Sequence, residues 1–296
     1  MLDTIKSLIK KFVPLKVLRR FKKSIYFLNR RKPFSFGYEE FREEFIDSIL
    51  KDTYIMELFR SKRNLPNGYG FGLDERVVEY PWLISNLPKN IGITLDAGSA
   101  CNFSYIIDEL LARYADLTIL TLAPELNCFW DRKISYNFGD IRNIPIIDAH
   151  YDSIISISTL GHIGMENDIY TSNARFHQKN PDDFKVALIE LKRILRPKGK
   201  LYLTVVYGRY INGGWFQQFD KNMIDEILNT FAPTNYSLTF FKYTKDGWNI
   251  ASQEECDECE YFDIHKTKYF DKLSTKGFDE DRAAAARSVA CIVLEK

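Results

Sequence analysis

The sequence lacks any apolar run of about 18 residues, the length that a helix needs to cross a membrane. Cysteines are also few: there are five, an odd number, scattered between positions 101 and 291. The dense disulfide framework of a small secreted protein is therefore not expected. The N-terminus lacks an uninterrupted apolar segment before a small-residue cleavage site, so it does not read as a signal peptide. These absences together predict a reducing, cytoplasmic compartment.

An excess of charge of either sign is missing as well. The 41 Lys and Arg residues nearly balance the 40 Asp and Glu residues, so net charge gives no reason to expect nucleic acid as a partner. The distribution is uneven, because residues 1–32 contain eleven basic residues and one acid, Asp3. Apolar residues follow helical spacing through residues 2–12 and again over residues 15–28, opposite a basic face.

Residues 1–32 are therefore predicted to form a basic, amphipathic helical extension. Two interpretations of this extension stay open. In the first it is a peripheral anchor that binds anionic lipids at the inner membrane face. In the second it packs against the domain or against a partner chain. The oligomeric state is equally open.

The character of the chain changes near residue 91. Residues 33–90 have mostly helical patterns interrupted by turn-forming residues, and they are predicted to form an N-terminal helical cap. Over residues 91–296 short apolar strands alternate with amphipathic helices, which is typical of a parallel sheet. The seven predicted strands cover residues 93–96, 117–122, 134–138, 151–158, 200–206, 237–243 and 289–294. We therefore predict an α/β fold with a doubly wound, mostly parallel seven-stranded sheet.

The first strand ends at Asp96, and Gly98 follows in a short turn. Ligands of open α/β sheets bind beyond the carboxyl ends of the strands, so the Asp96 carboxylate is expected at that crevice. A dinucleotide site would need G-x-G-x-x-G to bring backbone amides against a pyrophosphate, and that pattern is absent. This disfavours a nucleotide-dependent oxidoreductase. A ligand without phosphate, such as S-adenosylmethionine, needs fewer glycines, and a carboxylate suits its cationic methionine part.

Residues 96–102 (DAGSACN) resemble the first motif of class I S-adenosylmethionine-dependent methyltransferases, D-x-G-x-G-x-G. Ala100 and Asn102 replace the later glycines, so Ala100 needs a negative φ, and Asn102 is a residue that tolerates left-handed geometry. Residues 138–145 (FGDIRNIP) and 151–160 (YDSIISISTL) are similar to the family's third-strand loop and fourth strand. Residues 191–201 (LKRILRPKGKL) look like its most distinctive helix–turn–strand. The alternative for the first motif is the helix start of any α/β protein.

The resemblance implies a Rossmann-like methyltransferase fold and S-adenosylmethionine as cofactor. The positions implied to bind the cofactor are Asp96, Gly98, Ala100, Thr121, Asp140, Ile141, Ser156 and Ser158. Thr121 stands where the family usually has an acid that holds the ribose hydroxyls. Glu125 would substitute for that acid if its loop folds back toward the second strand.

His162 follows the fourth strand in the stretch TLGHIGM, which is similar to a bacterial methyltransferase subgroup with Glu-His-Ile/Val-Gly at this place. Gly161 replaces the glutamate. The resemblance implies that His162 is the catalytic base for a hydroxyl acceptor, a role suited to histidine near neutral pH. The alternative is a histidine that hydrogen-bonds its own loop.

Aromatic residues and glycines follow the fifth strand in YGRYINGGWF, which indicates a mobile lid. Tyr207, Tyr210 and Trp215 are the candidate substrate-binding residues, and the last two offer surfaces on which a sugar or another flat acceptor stacks. A tryptophan packed onto the core is the alternative. Cys256 and Cys259 form a lone C-x-x-C among acids. Zinc needs four ligands, so no metal site is predicted and a solvated acidic loop is favoured.

The sequence therefore favours an S-adenosylmethionine-dependent methyltransferase that acts on a small-molecule or sugar hydroxyl. The resemblance also suggests a role in surface-glycan assembly. The alternative is a binding or scaffold protein that kept the fold and lost turnover. Ala100, Asn102, Thr121 and Gly161 support the alternative, since each replaces a residue usual in the family.

Overall fold

The computed structural model describes residues 15–125, 127–171 and 178–296. The helix predicted over residues 2–12 lies outside these ranges, so the structure does not test it.

An eight-stranded sheet forms the centre of the molecule. Its strands are β1 (Ile93–Ala97), β2 (Asp116–Thr121), β3 (Ser135–Phe138), β4 (Tyr151–Ile157), β5 (Leu195–Val206), β8 (Asn235–Thr244), β9 (Gly247–Ala251) and β10 (Ser288–Glu295), and a separate hairpin consists of β6 (Ile211–Asn212) and β7 (Gln217–Gln218). The strand order is β3-β2-β1-β4-β5-β10-β8-β9. β1 to β5 pair in parallel, whereas β10 is antiparallel to β5 and β8. The predicted α/β class is confirmed, with β9 as an unpredicted eighth strand.

Helices cover the sheet. They are α1 (Leu15–Leu28), α2 (Tyr38–Lys51), α3 (Thr53–Arg60), α4 (Arg76–Asn86), α5 (Ser104–Leu111), α6 (Asp168–Thr171), α7 (Phe184–Ile194), α8 (Lys221–Phe231) and α9 (Gln253–Cys256). Capping side chains define where some of them start. Asp52 accepts hydrogen bonds from the backbone N–H groups of Tyr54 and Ile55, and Asp220 accepts one from that of Met223.

Both faces of the sheet are buried, as a parallel sheet requires. Successive residues of β4 show why, because their side chains alternate between two hydrophobic clusters. Ile154 belongs to the cluster that contains Leu188 of α7 and Ile227 of α8. Ile155 belongs to the other cluster, which contains Val77 of α4 and residues of α1 to α5. The helices before β1 therefore share a core with the sheet. The division into segments 1–32, 33–90 and 91–296 remains a prediction.

Helix α1 docks onto α2 through its basic face. Tyr26 is fully buried, and three ion pairs join the two helices. The pairs are Arg19–Glu43, Lys22–Glu40 and Lys23–Glu44. The basic charge of this face is therefore partly neutralised within the chain. In the part of the chain that the structure describes, no helix is long and apolar enough to span a membrane.

Candidate functional site

A cleft of about 490 Å³ opens at the carboxyl ends of β1 to β4, where an open α/β sheet places its ligands. Seven of the sequence-predicted site residues line it together: Gly98, Ala100, Thr121, Asp140, Ile141, Ser158 and His162. Asp96, Ser156, Tyr207, Tyr210 and Trp215 do not line it. Residues that are distant in sequence thus meet at one edge of the sheet.

The loop after β1 approaches Thr159 closely. Gly98 has a φ of 115°, and a Cβ atom at this position would overlap with the Thr159 side chain. The next residue, Ser99, is left-handed with a φ of 56°. Ala100 does not have a positive φ. This meets the condition for an alanine at a position where the family usually has glycine.

Asn102 does not have a positive φ, so this turn does not use its tolerance of left-handed geometry. Its side chain instead ties two loops together. The amide nitrogen donates to the Asn127 carbonyl at 2.9 Å, and the amide oxygen accepts from the Tyr136 hydroxyl at 3.0 Å. The left-handed residue of this turn is Ser99. The Asn102 side chain instead stabilises the wall of the cleft through these two hydrogen bonds.

Asp96 lies beneath the cleft instead of facing it. The side chain is fully buried, and Oδ2 accepts a hydrogen bond from the Cys101 backbone N–H at 2.8 Å. Burial raises the pKa of this carboxyl to about 7. Asp96 therefore shapes the loop after β1, while its Oδ1 atom has no hydrogen-bond partner among the described residues. The contact of Asp96 with the cofactor remains a prediction. Ser156 is also fully buried, and its hydroxyl has no hydrogen-bond partner among the described residues.

Acidic side chains mark the end of the cleft near β2 and β3. The loop after β2 folds back so that the Glu125 carboxylate lies 3.1 Å from the Thr121 hydroxyl, and both residues line the cleft. Asp140 follows β3 and forms an ion pair with Arg142, which also pairs with Asp183. Burial opposes ionisation of Asp140, but the hydrogen bonds from Arg142 outweigh it and lower the pKa.

A basic side chain that the sequence reasoning missed lines the cleft on the β4 side, away from β2 and β3, because its partner Glu79 accepts a hydrogen bond from Ser158 at the end of β4. Arg76 begins α4 and forms an ion pair with Glu79, which is fully buried. The only sequence signal is a pair of charged residues three positions apart in the apolar stretch RVVEYPWLI. The cleft therefore carries acids at one end and a guanidinium at the other.

His162 contacts the β6–β7 hairpin and lines the cleft. Its Nδ1 lies 2.9 Å from the Trp215 carbonyl oxygen, and the two rings stack at 5.4 Å with an interplanar angle of 25°. A carbonyl only accepts, so Nδ1 carries the proton and Nε2 keeps its lone pair. Burial lowers the pKa of His162 to about 4, so the ring is neutral near pH 7. The Tyr170 ring packs edge-on at 5.5 Å and also lines the cleft.

The three candidate substrate-binding residues are not brought together. Tyr207 is fully buried, and its hydroxyl contacts Asp257 and, at 3.0 Å, the Gln253 amide. Tyr210 is partly exposed outside the cleft. Trp215 contacts His162 but does not line the cleft itself. Local spacing placed all three after β5, but of the three only Trp215 contacts a residue that lines the cleft, His162.

The C-x-x-C motif is not a solvated loop, because Cys256 and Cys259 are both buried as free thiols. The His265 and Trp215 rings pack edge to face, with their centroids 6.4 Å apart. Over the described ranges, the structure has no group of three or more His, Cys, Asp or Glu side chains arranged to hold a metal ion.

No protein-family model matches the chain, and no curated protein matches it. Among solved structures it is similar to a SAM-dependent methyltransferase from Archaeoglobus fulgidus, at 12% identity over 83% of this chain and 100% of that chain, with a TM-score of 0.47. A Burkholderia thailandensis 1,6-didemethyltoxoflavin-N1-methyltransferase with bound S-adenosylhomocysteine is 12% identical over 86% and 87%, with a TM-score of 0.42. The cyclase SpnF is 14% identical over 86% and 94%, with a TM-score of 0.46.

The sheet has a Rossmann-like α/β arrangement, in which antiparallel β10 is inserted between β5 and β8. A fold of this kind hosts many chemistries, so the site itself has to carry the argument for function.

Proposed function

We propose that the chain is an S-adenosylmethionine-dependent methyltransferase whose acceptor is a hydroxyl group of a small molecule or sugar. The observation that carries this proposal is the polarity of the cleft, with Glu125 and Asp140 at one end and Arg76 at the other. S-adenosylmethionine has groups that fit both ends, since hydroxyl and amino donors lie on its adenosine part and its methionine part has a carboxylate beside the ammonium.

Glu125 is the residue that we assign to the ribose hydroxyls. A carboxylate accepts two hydroxyl donors well, and Glu125 occupies the end of β2 because its loop folds back to Thr121. Asp140 offers its carboxylate nearby, although the hydrogen bonds from Arg142 engage both of its oxygens. We therefore expect Glu125 to contribute more binding energy than Asp140.

Arg76 is the residue that we assign to the cofactor carboxylate. Its guanidinium has donors beyond those directed at Glu79, so it can bind a second carboxylate. Gly98, Ser99 and Ala100 form the neighbouring wall without large side chains. Bound S-adenosylmethionine supplies a methyl group that its sulfonium already activates, so the protein has to provide alignment and a dry site.

His162 is the residue that we assign to the acceptor. The fixed tautomer leaves Nε2 as a hydrogen-bond acceptor, and a neutral ring does not repel a sulfonium. With a pKa of about 4, His162 orients the acceptor hydroxyl and holds its proton by a hydrogen bond. The exposed Tyr170 ring lines the same part of the cleft and gives a stacking surface for a sugar, in place of Tyr210 and Trp215.

Calorimetric titration with S-adenosylhomocysteine tests the cofactor proposal. The unmodified chain is expected to bind, and Glu125→Gln is expected to weaken binding about tenfold, because it removes a charge-assisted acceptor of hydroxyl donors. Glu109→Gln is the matched control, since Glu109 of α5 pairs with Arg113, which follows the helix, and does not line the cleft. Absence of binding at millimolar ligand in the unmodified chain contradicts the proposal and favours the scaffold alternative.

We also propose that α1 faces an anionic membrane surface. Val17, Phe21 and Leu28 form one exposed stripe on this helix, and Leu28 is 80% exposed. Basic residues near the stripe have no ion-pair partner among the described residues: Arg20, Arg30, Arg31 and Lys32. An apolar stripe flanked by cations complements anionic lipid headgroups. The cations that pair with α2 are not available for this purpose.

A further inference from the structure

Glu79 is a buried carboxylate that none of the proposed contacts with ligand uses. The side chain is 0% exposed and lies between α4 and the central strands. Its Oε1 accepts hydrogen bonds from the Ser158 and Thr204 hydroxyls, each at 2.6 Å, and its Oε2 pairs with Arg76. A charge in the interior is costly unless it is paired and hydrogen-bonded, and this one is satisfied on both oxygens.

The partners of Glu79 connect it to the cleft. Ser158 lines the cleft at the end of β4 and has a φ of 46°, an unfavourable value for a residue with a Cβ atom. Its backbone N–H also donates to the Thr204 hydroxyl oxygen at 2.9 Å. Glu79, Ser158 and Thr204 therefore form one network that joins α4 to the ends of two central strands.

We propose that Glu79 is a positioning residue that fixes the Arg76 guanidinium for the anionic end of the ligand. This inference rests on the proposed function. A free arginine side chain at a cleft would lose considerable rotamer freedom when it binds a carboxylate. The ion pair with Glu79 already restricts the side chain, so less of that freedom remains to be lost. The ordered network around Ser158 holds Glu79 itself in place.

Two ligands that differ by the amino-acid group, with its carboxylate and ammonium, separate positioning from general structure. S-adenosylhomocysteine has the amino-acid carboxylate, and 5′-methylthioadenosine has the adenosine part without it. Glu79→Gln is expected to weaken binding of S-adenosylhomocysteine about tenfold, since one charge-assisted contact loses its alignment. Binding of 5′-methylthioadenosine is expected to stay within about twofold, because the acidic end of the cleft is unchanged. Titration calorimetry on the full chain measures both affinities.

A control and a second variant complete the test. Glu190→Gln removes the charge of a glutamate that does not line the cleft and that pairs with Arg193 at a distance of 2.9 Å. This control is expected to change neither affinity. Arg76→Lys keeps the positive charge without the planar fork and is expected to reproduce the selective loss, even if Glu79→Gln does not fold.

Several results would overturn the inference. Equal weakening of both ligands by Glu79→Gln would show a general structural role. Unchanged or tighter binding of S-adenosylhomocysteine would show that Glu79 only neutralises Arg76. Full affinity in Arg76→Lys would have the same consequence. If the unmodified chain binds neither ligand, the proposed function itself is wrong, and this inference is lost with it.

Discussion

At the scale of single residues, burial changes the chemistry that residue type suggests. A histidine after the fourth strand reads as a base with a pKa near neutrality, because that is the ordinary behaviour of imidazole. Burial instead lowers the pKa of His162 to about 4, and the Trp215 carbonyl fixes its tautomer. Asp96 shows the opposite direction, since burial raises its pKa to about 7. Neither shift is visible in the sequence, because each depends on groups distant along the chain.

The low pKa of His162 leads to a prediction about activity and pH. His162→Gln is expected to lower kcat about 100-fold, the usual contribution of a group that handles the acceptor proton, with S-adenosylhomocysteine affinity unchanged. In the unmodified enzyme His162 stays neutral from pH 6 to pH 8, so it is expected to add no inflection to the kcat profile there. Methyl-transfer assays on a panel of hydroxyl acceptors measure both effects.

The same shift has a consequence for stability. The native pKa of about 4 lies below the ordinary value of 6.5, so the unfolded chain binds more protons between these values. The free energy of unfolding is therefore expected to fall as the pH drops from about 6.5 toward 4, and His162→Gln is expected to flatten that slope.

An inflection near pH 6.5 in kcat that disappears in the variant would contradict the assigned protonation state.

At the scale of elements, the amphipathic helix α1 has two faces in different environments. The sequence identifies the basic face of residues 15–28 but does not say what neutralises it. In the structure the acids of α2 pair with part of this face, and the buried Tyr26 fixes its orientation. The apolar residues Val17, Phe21 and Leu28 are consequently left exposed on α1. Docking of one helix on another thus selects which face a partner can contact.

Vesicle flotation checks the membrane proposal. A triple variant with Val17→Ser, Phe21→Ser and Leu28→Ser is expected to reduce binding to vesicles rich in phosphatidylglycerol at least tenfold. The variant removes the apolar area that such a helix buries in the lipid. Val186→Ser with Ile189→Ser, a pair of exposed apolar residues on α7, is the control and is expected to bind normally. The proposal fails if the unmodified chain stays in the soluble fraction at low salt, or if both variants bind equally.

At the scale of the whole molecule, the cleft is an assembly of distant segments. Arg76 comes from a helix before the sheet, Glu125 from the loop after β2, and His162 from the loop after β4. A ligand that contacts all three joins parts of the fold that separate on unfolding. Such a ligand stabilises the native state by mass action, to an extent set by its concentration relative to Kd.

Thermal unfolding measures this linkage. S-adenosylhomocysteine at about 100 times its Kd is expected to add about 2.7 kcal/mol to the free energy of unfolding, which corresponds to a rise in Tm of roughly 5 °C or more. NAD and NADP are the comparison ligands and are expected to cause no shift, because the loop after β1 lacks the glycines for a pyrophosphate. A rise in Tm with NAD or NADP and none with S-adenosylhomocysteine would support an oxidoreductase instead.

The sequence by itself determined the α/β class, the positions of the seven predicted strands along the chain and the loops that border the cleft. These features follow from local periodicity and turn residues, which act over short distances along the chain. Only the tertiary structure decided that Asp96 shapes a loop, that Tyr207 is buried and that Arg76 and Glu79 reach the cleft. Those outcomes depend on which elements pack together, because burial and ion pairing between distant segments leave no local pattern.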